Sequence, residues 1–231
     1  MSILASLIKD ILFRKHRASP SNMGQNHHAV DDRRQVLNVG GSSKQVLLPN
    51  LYGGWDHILL DIDPRHGPDL LCDARELETL APLQFDAVYC AHNLEHYFRH
   101  DVPTVLRGFS HVLKEDGFVH IRVPDMGELM RTVVRKNLDI DDRLYESPAG
   151  PITVLDVIYG HGEDIERSGS DFFAHKTGFT RKSLTDMLTR CGFGHVYALE
   201  QPDILEIQAF AFKRQPGAVI AAMLGLPPPV A

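Results

Sequence analysis

Over most of the chain, short apolar runs alternate with longer segments of helical spacing, the pattern of parallel strands joined by crossovers. The runs are Gln35–Val39, 57–62, 69–72, 85–90 and 117–123. Their β-branched and aromatic residues, and the turn residues that follow, mark them as strands rather than short buried helices. Between the last two, Val102, Val105, Leu106, Phe109, Val112 and Leu113 recur on one helical face, and Glu115-Asp116-Gly117 predicts a turn. Met126–Lys136 is a second helical stretch, with Asp125 as its cap. A third is predicted over 180–191, capped by Thr180, with Leu184, Met187 and Leu188 on its buried face. Segments 195–200 and 205–213 alternate apolar and polar about Gln201-Pro202-Asp203, which predicts an antiparallel hairpin. The fold class is therefore α/β: a Rossmann-like, doubly wound, mostly parallel sheet closed by an antiparallel hairpin.

Residues 1–34 differ from this body. Ile3, Leu4, Leu7, Ile8, Ile11, Leu12 and Phe13 recur at helical spacing, and Arg14, Lys15 and Arg17 follow them. A secretory signal carries its positive charges before the apolar run, so this is an amphipathic helix followed by a polar linker. It is expected to pack on the domain, associate with a second copy or lie on a membrane surface. The domain proper spans 35–214. Weaker patterning over 139–178 suggests an insertion, or lid, at one end of the sheet, and 215–231 is an apolar, proline-containing tail expected to be poorly ordered.

Composition narrows the function. The 231 residues are 43% hydrophobic, enough for one sizeable core, and the net charge is -6. A nucleic-acid backbone is not the expected partner of such a chain, and Arg131, Arg135 and Lys136 are read as a solvated helix face. Three scattered cysteines, Cys72, Cys90 and Cys191, form neither a metal pair nor a disulfide framework, which suits a reducing, cytoplasmic setting.

In an open α/β sheet a ligand sits beyond the carboxyl ends of the strands, where strand order reverses. The first strand ends in Gly40-Gly41, where backbone can approach a ligand with no side chain between. The second ends in Asp61-Ile62-Asp63, and Asp61 has the position from which a carboxylate accepts both hydroxyls of a ribose. The third is followed by Asp73-Ala74, where Asp73 either accepts an adenine amine or caps the next helix.

The stretch from Val36 to Met130 resembles class I S-adenosylmethionine-dependent methyltransferases, most nearly the type-11 group. The matching segments are Val-Leu-Asn-Val-Gly-Gly from Val36, Leu-Asp-Ile-Asp-Pro from Leu60 and Cys-Asp-Ala-Arg-Glu-Leu from Cys72. Phe-Asp-Ala-Val-Tyr from Phe85, His-Asn-Leu-Glu-His from His92, Val-Leu-Lys-Glu-Asp-Gly from Val112 and Ile-Arg-Val-Pro-Asp from Ile121 continue it. His-Lys-Thr-Gly-Phe from His175 is also similar to that subgroup. The resemblance implies about seven strands and S-adenosylmethionine as cofactor, bound by Asn38, Gly40, Gly41, Asp61, Ile62, Asp73, Ala74 and His92. The implied acceptor is a small molecule, sugar or lipid intermediate. In this chain Asn38 stands where the family has an acidic residue, and Ser42 and Lys44 stand where it has glycines. Those departures motivate an alternative, a binding or scaffolding module that keeps the fold without catalysis.

Methyl transfer needs the nucleophile held near the methyl carbon, and a base where a hydroxyl or amine must lose a proton. Candidates are His96, Glu95 and His175, then His161 from the insertion. A competing reading takes His92, Glu95 and His96 as the His-x-x-Glu-His motif of a zinc hydrolase, with His100 continuing the spacing. That motif needs a helix, whereas His92 directly follows a strand, so no metal site is expected.

Overall fold

A computed structural model describes residues 33–147 and 150–227. The amphipathic pattern of 1–32, with its expected self-association or membrane contact, lies outside the described residues, as do 228–231. In chain order the strands are Gln35–Val39 (β1), Asp56–Asp61 (β2), Leu70–Leu71 (β3), Phe85–Ala91 (β4), Leu113–Pro124 (β5), Arg143–Ser147 (β6), Gly150–Thr153 (β7), His195–Gln201 (β8) and Glu206–Phe212 (β9). The α-helices are Val102–Val112 (α1), Met126–Lys136 (α2), Val154–Tyr159 (α3), Gly162–Ser168 (α4), Arg181–Arg190 (α5) and Ala218–Met223 (α6).

Seven strands form one sheet in the order β3-β2-β1-β4-β5-β9-β8. The five from β3 to β5 are mutually parallel, while β9 runs antiparallel to β5 and to β8. This is the expected doubly wound sheet with its closing hairpin. β6 and β7 pair separately, inside the insertion.

Strand alternation sorts the core onto two faces. Val88 and Cys90 of β4, with Val119, Ile121 and Val123 of β5, face α1 and α5 and pack with Val105, Leu106, Phe109, Leu184 and Leu188. Ala87, Tyr89, Phe118, Phe210 and Phe212 face the other way, against Tyr52, Ala221 and Leu226. A third cluster joins Leu129 of α2 to Leu144, Ile152, Val154 and Val157 of the insertion.

Caps set the helix starts as the sequence predicts. Asp125 accepts from the amides of Gly127 and Glu128, and Thr180 forms a capping box with Ser183. Two elements differ from expectation, the 115–117 turn and the tail. The turn expected at 115–117 is absorbed into β5, and the pairing shifts register between Phe85 and Ala87. Crossovers early in the sheet hold only short 3-10 turns, at Asn50–Tyr52, Pro64–His66 and Ala74–Thr79. The tail is not loose over its described part, because α6 seats Ala221 and then Leu226 against the Phe210–Phe212 face.

Candidate functional site

Strand order reverses between β1 and β4, and a cavity of about 320 Å³ opens at their carboxyl ends. Gly40, Ser42, Asp61, Ile62, Asp63, His92, Asn93 and His96 line it, joined by Ser168, Ser170, Phe172 and Phe173. The insertion thus walls one side.

Gly40 sits at φ +65°, and a Cβ there would lie 2.1 Å from Nδ2 of Asn93. Only glycine satisfies both the left-handed backbone and that approach. Asp61 is buried, and its carboxylate accepts from the Ser42 amide at 3.0 Å and from the Asp63 amide at 3.0 Å. It therefore ties the loop after β1 to the turn after β2. Each carboxylate oxygen can accept a further hydrogen bond.

Asn38, Gly41, Asp73 and Ala74 do not line this cavity. Asn38 is buried beneath Gly41, with Nδ2 3.1 Å from Nε2 of His57. Asp73 caps the Ala74–Thr79 turn and pairs with the Arg75 guanidinium, and Ala74 is buried where that turn meets α1. The capping reading of Asp73 matches this placement. Lys44 is turned away toward Asp69, at 2.6 Å, so its cation lies off the cavity wall.

His92 has φ +48° directly after β4, and its buried ring places Nε2 2.9 Å from Oε2 of Glu206. Glu206 also accepts from Nε of buried Arg122 at 2.7 Å. Burial opposes charge on His92, but Glu206 and Glu95 prevail and raise its pKa to about 9. Burial likewise opposes charge on Glu206, and His92 and Arg122 prevail and lower its pKa. These partners were missed from sequence. The available signal was a carboxylate, Glu206, opening an otherwise uncharged alternating strand.

The His-x-x-Glu-His motif does not share a helix face. His92 points to Glu206, residues Leu94–His96 form a 3-10 turn, and His100 lies exposed beside Asp101. Instead Glu95 and His96 meet His175 from the far side of the insertion, with the His96 and His175 ring centroids 5.1 Å apart. His96 Nδ1 contacts the Ala174 carbonyl at 3.1 Å, and His175 Nδ1 contacts the Val157 carbonyl at 2.9 Å. A carbonyl only accepts, so each Nδ1 carries a proton and donates it. The amides of Lys176 and Thr177 donate to the Glu95 carbonyl and brace the two segments together. Burial resists charge on Glu95, yet the His92 ring beside it prevails and lowers its carboxyl pKa to about 2. Burial holds His175 neutral, with its pKa lowered to about 4. His161 stands apart, its Nδ1 3.2 Å from Asp164 in α4.

Residues 37–121 match a family described as methyltransferase domain. A comparison with curated protein sequences finds no match. The fold is shared with a SAM-dependent methyltransferase from Archaeoglobus fulgidus, at a TM-score of 0.50 and 14% identity over 78% of this chain and 86% of that one. It is shared equally with a protein of Bacillus halodurans assigned as a methyltransferase, at a TM-score of 0.50 and 12% identity over 81% of this chain and 95% of that one. Among the described residues no helix is long and apolar enough to cross a membrane.

Proposed function

We propose that this chain, which carries a methyltransferase domain over residues 37–121 on a class I methyltransferase fold, transfers a methyl group from S-adenosylmethionine to a small-molecule acceptor. The observation that carries the reading is the buried Asp61 carboxylate on the wall of a cavity at the strand-order reversal. The residues present fit the cofactor. Asp61 keeps acceptor capacity for a ribose diol, and Gly40 brings bare backbone to the cavity. Lys44 adds no opposing charge, and His92⁺ is offset by Glu206. When bound, the cofactor supplies a methyl group already activated on a sulfonium. The chain's own contribution is to hold that group and the acceptor at near-attack distance, and to accept a proton. His96, on the cavity wall, with Glu95 and His175 behind it, forms the acceptor end.

Calorimetry with S-adenosylhomocysteine tests this. Micromolar binding, on the order of -8 kcal/mol, is expected for wild type and at least tenfold weaker binding for Asp61→Asn. No binding at millimolar ligand would overturn the cofactor reading. A second reading, a non-catalytic binding module, is favoured by Asn38, which is neutral and faces His57 rather than the cavity. Its mark would be tight S-adenosylhomocysteine binding with no turnover across a panel of hydroxyl and amine acceptors.

A further inference from the structure

Glu95 is 1% exposed, and neither carboxylate oxygen accepts a hydrogen bond. Its nearest ion-pair partner, Nδ1 of His92, is 3.5 Å away. The same His92 ring is held more closely by Glu206, at 2.9 Å, so the Glu95 carboxylate, buried without a hydrogen bond, keeps acceptor capacity for a further cation. Lys176 does not take that place, because it turns to Asp171 at 3.2 Å and lies over the Phe98 ring.

One ligating atom from each of Glu95, His96 and His175 lies within 4.8 Å of the other two. No direct hydrogen bond joins the three side chains, yet their spacing leaves room for a shared ion. Both rings commit Nδ1 to a main-chain carbonyl, at 3.1 Å and 2.9 Å. That is how metal-ligating histidines are oriented, since the carbonyl fixes the tautomer and leaves Nε2 free to bind. A tetrahedral ion with ligands at 2.0–2.1 Å separates them by about 3.4 Å. The side chains would therefore draw in by roughly an ångström on binding.

We infer that Glu95, His96 and His175 bind one divalent transition-metal ion of the zinc type, with an open coordination position toward the cavity that His96 lines. Two imidazoles and a carboxylate suit such an ion better than calcium or magnesium, which take oxygen ligands. Such a site runs against the expectation that the chain holds no metal. It also differs from the hydrolase motif, because His175 replaces His92. Metal binding stands without the cofactor. The use of the open position to orient and acidify an acceptor hydroxyl rests on the proposed methyl transfer.

Cobalt(II) is the probe, titrated into the metal-stripped full chain and followed by its visible absorption. The expected result is saturation at one equivalent, at least tenfold weaker binding in Glu95→Gln and in His175→Ala, and no change in the His27→Ala/His28→Ala control. Saturation as tight in both site variants as in wild type, or none below millimolar cobalt, would overturn the inference. Thermal melts guard against misfolding: zinc is expected to raise the Tm of wild type and not of Glu95→Gln, and an equal rise in both would count against the site. S-adenosylhomocysteine binding separates the two proposals. Cobalt binding with no S-adenosylhomocysteine binding keeps the metal site and removes its role in transfer.

Discussion

His92 Nε2 lies 2.9 Å from Oε2 of Glu206, a contact spanning 114 positions that joins the end of β4 to the start of β9. Glu206 is 0% exposed and also holds Arg122, so one carboxylate compensates two buried cations beside the cavity. Glu206→Gln keeps the shape and removes the charge. Breaking a buried pair by removing one partner costs about 3–5 kcal/mol, and a loss in that range is expected in urea unfolding. An unchanged m-value would show that the effect lies in the folded state. A loss below about 1 kcal/mol would mean that the cluster is not ionised as described.

The glycine pair after β1 supports two separable effects. A Cβ on Gly41 would lie 2.0 Å from Nδ2 of Asn38, whereas Gly40 adds a positive φ to its clash with Asn93. Gly41→Ala is expected to cost about 1–3 kcal/mol, and trimming the obstacle with Asn38→Ala should recover part of it. The double-mutant cycle should show coupling of at least about 0.5 kcal/mol. Gly40→Ala should not be rescued by Asn93→Ala, because the strained backbone remains. Full additivity at Gly41 would place the cost elsewhere.

These two glycines also mark the boundary of what the sequence disclosed. Strand positions, the caps at Asp125 and Thr180 and the closing hairpin follow from local spacing and side-chain chemistry, and all are found in the fold. Asp61 and His92 lie on the cavity wall because strand ends converge there in any sheet of this order. Asn38 and Asp73 do not, since each found a partner that no local pattern reveals, His57 across the strand pair and Arg75 along the turn. The meeting of Glu95 and His96 with His175 was equally hidden. It depends on how an insertion with weak periodicity folds back, which is a tertiary outcome.

The tail offers a third prediction. Leu226 is nearly buried against the aromatic face that includes Phe210 and Phe212, although its segment was expected to be loose. Leu226→Ala should therefore cost about 2 kcal/mol or more, read as a lower urea midpoint. A change within about 0.5 kcal/mol, the range of an ordinary surface substitution, would mean that the tail does not pack as described.

His120 makes stability depend on pH. It is buried among Tyr52, Tyr89 and Phe210, with Tyr52 Oη 3.2 Å from Nδ1 and Gln208 Nε2 2.9 Å from its own Nε2. The Gln208 amide donates to Nε2, which puts the proton on Nδ1 and leaves the ring neutral. Burial, aided by the nearby Arg122 charge, depresses its pKa well below 6.5. Below the unfolded pKa of about 6.5 the unfolded chain takes a proton that the folded chain refuses, so stability falls with pH. His92 has the opposite sign. Its raised pKa gives stability fully present below about 6.5 and lost only as pH climbs through about 9. Between pH 7.5 and 5.5, wild type should therefore lose about 1 kcal/mol more than His120→Asn, with the His92 contribution cancelling in the comparison. Parallel stability profiles for the two proteins would show that His120 is protonated in the folded state.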